Sequence, residues 1–289
     1  MADLLDWAAR AGAGATVDLV CHEADEAVVP SAEGAMVVRL TGCLGAAPLA
    51  LPYELLGLGV AAVEVRLDTC SDPDADRWSG LVAAFAPERV HLRTGPPETG
   101  HPSVEPAPAD RMPRLTRRGL LGMFAQPGAD EPATSEGTDH QRLRRALASV
   151  SVDDEAAARP GPGWVLEAPE CEFDAVCAQS CPEDALVVER RGARSSLVLD
   201  PGACTACGLC LQVCPTEALR VIGPNTWASL VDSGRVEVAT GTTRACERCQ
   251  VQFRARGMQT LCPTCAFRRA HPFASALPDE VRERRRFGG

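Results

Sequence analysis

The sequence predicts a multidomain protein of mixed class: a small parallel α/β domain, an α+β domain rich in cysteine, and a C-terminal domain built on four cysteines. Apolar runs of strand length alternate with helix-length segments near the N-terminus, and eleven of the 14 cysteines lie after residue 170. A proline- and glycine-rich stretch separates these two parts. We therefore expect four regions, at residues 1–93, 94–162, 163–224 and 225–289.

The first region reads as alternating helices and strands. Residues 3–11 form a predicted amphipathic helix, and the runs VDLVC, AMVVRL and VAAVEVRL have strand length and many β-branched residues. A helix-length segment from Pro48 to Leu58 ends at Gly59, and WSGLVAAF and RVHL give a further helix and strand. This alternation predicts a small parallel sheet.

Three cysteines of this domain follow its predicted strands. Cys21 and Cys70 come directly after two of them, and Cys43 lies just beyond a third. The carboxyl ends of parallel strands form the ligand-binding edge of such sheets. His22 is a candidate additional ligand, because histidine replaces cysteine in some two-iron centres. Alternatively, the cysteines are small buried residues and His22 is an ordinary polar one.

The runs VDLVC, VVRLTGC and YELLGLGVAAVEVRLDTC, over about residues 15–95, resemble the iron-sulfur delta subunit of methyl-viologen-reducing hydrogenases. That family relays electrons to a partner heterodisulfide reductase. The resemblance implies a [2Fe-2S] cluster on four cysteines in this domain, of which Cys21, Cys43 and Cys70 would be three.

Residues 94–162 are rich in proline, glycine and acidic residues, a composition that predicts a mostly disordered linker. Two short helical islands interrupt it. RLTRRGLLGMF, at 114–124, contains a twin-arginine-like core but lies mid-chain, so it is either a docking segment or a turn packed on its own chain. HQRLRRALASV is a predicted surface helix.

The third region carries the most specific motif. Residues 204–215 have the spacing C-x2-C-x2-C-x3-C-P, which is typical of iron-sulfur cubanes. Shifting the sequence by 33 positions places Cys171 on Cys204 and aligns CPEDALVV with CPTEALRV, so the region is an internal repeat. In this alignment Asp174 occupies the position of Cys207.

Residues 163–224 resemble the bacterial two-cluster ferredoxins, with a pseudo-two-fold repeat. The resemblance implies a [4Fe-4S] cluster, here called cluster A, on four cysteines: Cys181, Cys204, Cys207 and Cys210. The second cluster, cluster B, would have four candidate ligands: Cys171, Asp174, Cys177 and Cys214. Carboxylate is a harder ligand than thiolate and holds iron weakly. Cluster B is therefore expected to be a [3Fe-4S] cluster or a [4Fe-4S] cluster with a labile corner, unless Asp174 is only a surface residue.

The last region contains two C-x2-C pairs, CERC and CPTC, separated by twelve residues. Two separated pairs predict tetrahedral Zn²⁺ in a zinc ribbon, with a single rubredoxin-like iron as the alternative. The four ligands would be Cys246, Cys249, Cys262 and Cys265. The preceding SGRVEVATGTTRAC predicts a strand that forms a hairpin beside them. Arg254, Arg256 and the run RERRR make this end basic, which suits an acidic protein surface or nucleic acid.

Cysteines in ligand spacings favour a reducing compartment. The first residues, MADLLDWAARAGAGA, include acidic residues where a signal peptide needs basic ones, and no apolar run approaches membrane length, so we expect a cytoplasmic protein. The net charge of −10 argues against nucleic acid.

Together these features predict an electron-transfer protein that catalyses no reaction itself. It would be a ferredoxin-type subunit of a hydrogenase-like or dehydrogenase complex, with redox proteins as partners. One alternative is an enzyme that acts on a small thiol or disulfide at an open cluster site. The other is a zinc-ribbon factor for nucleic-acid binding or assembly.

Overall fold

The computed structural model describes residues 2–24, 29–71, 75–95, 103–112 and 136–272. Seven strands lie in the first part of the chain: β1 Thr16–Val20, β2 Val29–Pro30, β3 Met36–Arg39, β4 Ala62–Arg66, β5 Val90–Arg93, β6 Ser103–Val104 and β7 Ala107–Pro108. Five of them form a parallel sheet in the order β5-β4-β1-β3-β7, and β2 pairs with β6. The prediction of a parallel α/β domain is confirmed.

Helices pack on this sheet because their apolar residues fall on one face. The helices of the first part are α1 Ala2–Ala11, α2 Leu51–Gly57, α3 Ala75–Ala84, α4 Asp139–Leu147 and α5 Asp154–Ala157. Leu4 of α1, Tyr53 of α2 and Trp78 of α3 are fully buried in one core with Val17 and Val63 of the sheet. Among the described residues, no helix is long and apolar enough to span a membrane.

Within residues 94–162, where the composition predicts a linker, the structure describes the strands β6 and β7 and the helices α4 and α5. Ala109 follows the sheet strand β7, and Leu143 and Leu147 of α4 lie in the N-terminal core. The average composition concealed two leucines four positions apart, which form one apolar stripe on a helix. The island HQRLRRALASV is helical over Asp139–Leu147, with Leu143 and Leu147 buried and the other residues of the helix at least partly exposed. The island at 114–124 lies outside the described residues.

Helix α4 connects the two halves of the molecule. It begins at Thr138, whose side chain accepts a hydrogen bond from the N–H of Gln141 in a capping box. Arg142 donates to Glu54 of α2, with Nε 2.8 Å from Oε1, while Arg144 lies 3.3 Å from Asp200 of the cysteine-rich half. One helix therefore holds carboxylates from both halves.

Six strands and three short helices complete the described chain. They are β8 Pro160–Glu167, α6 Val176–Gln179, β9 Leu186–Arg191, β10 Arg194–Leu199, α7 Leu209–Gln212, β11 Arg220–Thr226, β12 Val236–Ala245, β13 Gln252–Arg254 and α8 Pro263–Ala270. β8 pairs with β11, and a four-stranded antiparallel sheet has the order β13-β12-β10-β9. This sheet crosses residue 224, so the third and fourth predicted regions share one sheet.

The internal repeat of the sequence is also a repeat of backbone conformation. Helices α6 and α7 start 33 residues apart, at Val176 and Leu209. Three pairs of residues at the same offset have positive φ: Phe173 and Ala206 (58° and 56°), Ala175 and Gly208 (66° and 78°), and Asp184 and Glu217 (51° and 52°). Glycine adopts this left-handed region easily because it lacks Cβ. Of these six residues, only Gly208 is a glycine.

A close approach between the halves is made at Gly80 of α3. A Cβ at this position would lie 2.7 Å from the ring of Trp227, closer than real contacts allow. Trp227 begins a short 3-10 turn, Trp227–Leu230, whose Leu230 is buried in the N-terminal core. The cysteine-rich half therefore contributes to the packing of the first.

We expect Leu147→Ala to lower the free energy of unfolding by about 3 kcal/mol, because it leaves a cavity in the N-terminal core. Urea unfolding followed by tryptophan fluorescence measures this. The control is Ser149→Ala, an exposed position just beyond α4, which we expect to change stability by less than about 0.5 kcal/mol. Equal, small effects from both variants would contradict the ordered position of α4.

Candidate iron-sulfur and metal centres

The four cysteines assigned to cluster A surround one pocket. Cys204 and Cys207 come from the loop that leads into α7, Cys210 lies in α7 itself, and Cys181 follows α6 in the other half of the repeat. Apolar side chains, among them Trp164, line the pocket beside these cysteines. The structure thus brings together residues that are separated by more than twenty positions in sequence.

The four residues assigned to cluster B are also neighbours. Burial, together with the nearby charges of Cys171, Asp174 and Cys214, raises the pKa of the Cys177 thiol to about 12. Burial likewise raises the pKa of Cys171, again with contributions from Asp174 and Cys214. Cys214 belongs to the second half of the repeat, so each half lends one cysteine to the other.

Asp174 stands at the start of α6 with an exposed side chain. Its Oδ1 accepts a hydrogen bond from the N–H of Val176 at 3.1 Å. The carboxylate is close enough to Cys171 and Cys177 to raise the pKa of both thiols. It therefore lies beside the cluster B cysteines while it is bonded to the backbone.

Backbone amides point at two of the cysteine sulfurs. The N–H of Phe173 donates to Cys171 Sγ at 3.4 Å, and the N–H of Ala185 donates to Cys181 Sγ at 3.3 Å. Such hydrogen bonds stabilise negative charge on sulfur and are one of the factors that set the reduction potential of a cluster.

The buried thiols favour a bound cation. Burial, together with the neighbouring Cys204, Cys181 and Cys207, raises the pKa of Cys210 to about 11. Thiols with such pKa values hold their protons at neutral pH, whereas iron binds thiolates. Loading of these sites must therefore release protons.

The four C-terminal cysteines form a compact group in which all four sulfurs lie within 4.8 Å of one another. Cys249 Sγ and Cys262 Sγ are 3.7 Å apart. Zn–S bonds of about 2.3 Å place two thiolates of a tetrahedral ion about 3.8 Å apart. Cys246 directly follows the strand β12, which forms the predicted hairpin with β13, and Cys262 caps helix α8. This geometry suits a single ion.

Two thiols of this group, Cys246 and Cys265, differ in acidity. Burial opposes ionisation of Cys246, but hydrogen bonds from the N–H groups of Cys262, Cys249 and Arg248 outweigh it and lower the pKa of Cys246 to about 6. Burial raises the pKa of Cys265 to about 12. One ligand is therefore ionised at neutral pH before any metal binds.

The three N-terminal cysteines meet at the carboxyl edge of the parallel sheet, as predicted. The sulfurs of Cys21, Cys43 and Cys70 lie within 4.8 Å of one another, with 3.3 Å between Cys43 Sγ and Cys70 Sγ. His22 Nδ1 is 3.4 Å from Cys21 Sγ, but the ring does not belong to the compact group. Within the described residues, this group and the C-terminal one are the only cysteine groups so compact.

Two arginines of the C-terminal part contact the segment around Cys171, a contact that the sequence did not predict. Arg254 of β13 donates to the carbonyl oxygens of Pro169 and Cys171, at 2.8 and 3.2 Å. Arg256 pairs with Glu172 at 2.7 Å. Of the two, only Arg256 contacts acidic side chains within the described residues, and these belong to this chain's own cysteine-rich half. The run RERRR lies outside the described residues. Spacing along the chain gave no signal that Arg254 would reach Cys171.

Comparison with known families gives one match, and it falls on the cysteine-rich half. Residues 167–218 match the family model described as a 4Fe-4S dicluster domain. No curated protein matches the chain. The match does not reach residues 15–95, so the resemblance to the hydrogenase delta subunit stays a prediction. The predicted ferredoxin-type domain is confirmed, and the chain contains an iron-sulfur domain of the 4Fe-4S dicluster type at residues 167–218.

Proposed function

We propose that this protein carries electrons one at a time between redox proteins through two neighbouring clusters. The observation that supports this most directly is that each half of the repeat supplies one cysteine to the cluster site of the other half. Cys181 lines the pocket of Cys204, Cys207 and Cys210, and Cys214 lies with Cys171 and Cys177. Two clusters built this way lie close together, which suits transfer between them.

Cluster A is proposed to be a [4Fe-4S] cluster on four thiolates. Cluster B has three thiolates and the carboxylate of Asp174. Because carboxylate is a harder ligand than thiolate, the fourth iron is held weakly, which gives a [3Fe-4S] cluster or a [4Fe-4S] cluster with a labile corner. The unlike ligand sets would give the two clusters different reduction potentials.

A relay is favoured over catalysis by the surroundings of cluster A. Apolar side chains, among them Leu166, Leu186 and Leu199, line its pocket beside the cysteines. Such a lining supplies no acid-base pair for a substrate, whereas electron transfer requires only a buried cluster near the surface. Cys207 is exposed and brings the edge of this site to the surface.

The partners are proposed to be redox proteins, such as subunits of a hydrogenase-like or dehydrogenase complex. The acidic chain, with a net charge of −10, suits a basic docking surface. Thiolate ligands at all these sites need a reducing compartment, and we propose the cytoplasm. The compact C-terminal group is proposed to bind Zn²⁺, which would hold the β12–β13 hairpin and α8 together.

The relay can be tested by an anaerobic redox titration followed by EPR. We expect two reversible one-electron steps, one for each cluster, in the full chain. If neither cluster changes its oxidation state reversibly, the proposed function is wrong.

Asp174→Cys tests the labile corner. We expect oxidised wild-type protein to lose about one iron per chain and to give a three-iron EPR signal, because the carboxylate holds that iron weakly. The variant should retain about four irons in cluster B, since it has a fourth thiolate there. Iron analysis before and after mild oxidation measures both.

The matched control is Asp184→Asn, at an exposed aspartate of the same half, which should behave as the wild type. Equal iron loss from Asp174→Cys and the wild type would contradict a role for Asp174 at the cluster. A variant that transfers electrons with a shifted potential supports a relay. Loss of turnover with a thiol or disulfide substrate would instead favour an enzyme.

The zinc affinity of the C-terminal group is expected to rise with pH. The Cys265 thiol, with a pKa of about 12, must lose its proton when the ion binds, so protons compete with zinc below that pKa. Each such thiol gives about a tenfold gain in affinity per pH unit. Cys246, with a pKa of about 6, is already ionised between pH 7 and 8 and adds nothing to the slope.

Competition with a chromophoric chelator between pH 7 and 8 measures the slope. Cys265→Ser should bind zinc more weakly and with a smaller slope, which separates this group from the other cysteines. An affinity independent of pH, after correction for protonation of the chelator, would contradict zinc binding by these thiols.

A further inference from the structure

We propose that Cys21, Cys43 and Cys70 form a second binding site for a single thiophilic divalent ion such as Zn²⁺, at the carboxyl edge of the parallel sheet. The inference does not rest on the proposed electron transfer. It assigns these cysteines to a mononuclear centre in place of the two-iron cluster that the sequence suggested.

The compactness of the group is the first argument. All three sulfurs lie within 4.8 Å of one another, and Cys43 Sγ is 3.3 Å from Cys70 Sγ. Thiolates on one tetrahedral zinc lie about 3.8 Å apart. In a two-iron cluster, three thiolates must be shared between two irons, so at least one pair is separated by the width of the cluster. The sulfurs here are drawn together around one point.

The two other cysteine sets of the chain provide an internal comparison. The C-terminal group, with the spacing of a zinc site, is equally compact. The cysteines assigned to clusters A and B, which the 4Fe-4S dicluster family match covers, do not form such compact groups in the described chain. The N-terminal cysteines therefore resemble the single-ion set and differ from the cubane sets.

Hydrogen bonds hold the loops that carry Cys21 and Cys70 in place. The N–H of Cys21 donates to Thr69 Oγ1 at 2.9 Å, and the Thr69 hydroxyl donates to the carbonyl of Arg66 at 2.6 Å. Glu23 accepts hydrogen bonds from the N–H and hydroxyl of Ser71, at 3.1 and 2.6 Å. The loops after β1 and β4 are thus bound to each other, so little ordering remains to be done when an ion binds.

The burial of the three cysteines indicates how an ion would reach the site and which ligand would fill its fourth coordination position. Cys21 is fully buried, whereas Cys43 and Cys70 are half-buried and give an ion a route from the surface. His22 is exposed and lies outside the compact group. We assign the ion to the three thiolates, with the fourth position occupied by water or a small exogenous ligand. Zn²⁺ has no redox chemistry, so this centre would not be a third relay.

Metal analysis of the full chain, purified without oxygen, tests the assignment. We expect two zinc ions per chain in the wild type. Cys43→Ser and Cys70→Ser should each lose one zinc and keep all their iron. Cys249→Ser should lose the other zinc, and the double variant Cys43→Ser/Cys249→Ser should retain neither. Far-UV circular dichroism checks that each variant is folded.

His22→Ala is the matched control, because it changes the neighbour of Cys21 but none of the three thiols, and it should keep both zinc ions. Charge-transfer absorption after Co²⁺ replacement should fall in Cys43→Ser and remain in His22→Ala. A loss of two irons with unchanged zinc in Cys43→Ser would overturn the proposal in favour of a two-iron cluster. Unchanged metal content in Cys43→Ser and Cys70→Ser, or zinc loss in His22→Ala, would also overturn it.

Discussion

The cost of ionising crowded, poorly solvated thiols is the constraint on which the cysteine-rich half depends. Burial and neighbouring sulfurs raise the pKa of Cys177 to about 12 and that of Cys210 to about 11. Negative charge on such thiols is costly without a cation among them. Short loops with left-handed residues, a few N–H donors to sulfur and two four-residue helices arrange these groups. Much of the local order therefore serves metal binding rather than an apolar core.

The C-terminal group and cluster B are mechanically connected. The strand β13 is fixed beside the four-cysteine group, and its Arg254 reaches the carbonyl oxygen of Cys171. The positive charge of Arg254 also lowers the pKa of that cysteine, although burial dominates and the pKa remains raised. A change in the conformation of the C-terminal group would therefore alter the position of the loop that carries Cys171, the first ligand of cluster B.

Local patterns in the sequence predicted those features of the structure that depend on residues close together in the chain. Alternating apolar runs predicted the parallel sheet, and the resemblance to two-cluster ferredoxins implied the grouping of Cys181 with Cys204. The two short helices of the repeat were not predicted. Long-range contacts left no such pattern. The pairing of Arg142 with Glu54 spans 88 residues, and that of Arg254 with Cys171 spans 83. For the same reason, composition suggested a linker where Leu143 and Leu147 complete a core, and a domain boundary at residue 224 where one sheet continues.

The position of helix α4 limits how this chain can be divided. Its leucines fill the core of the α/β domain, and its Arg144 lies against Asp200. A fragment that ends at residue 93 would lose Leu143 and Leu147 from that core, and one that begins at residue 163 would expose Leu230. The two halves are therefore not interchangeable modules: recombination that moved the cluster domain to another chain would have to carry this helix and a surface that receives it.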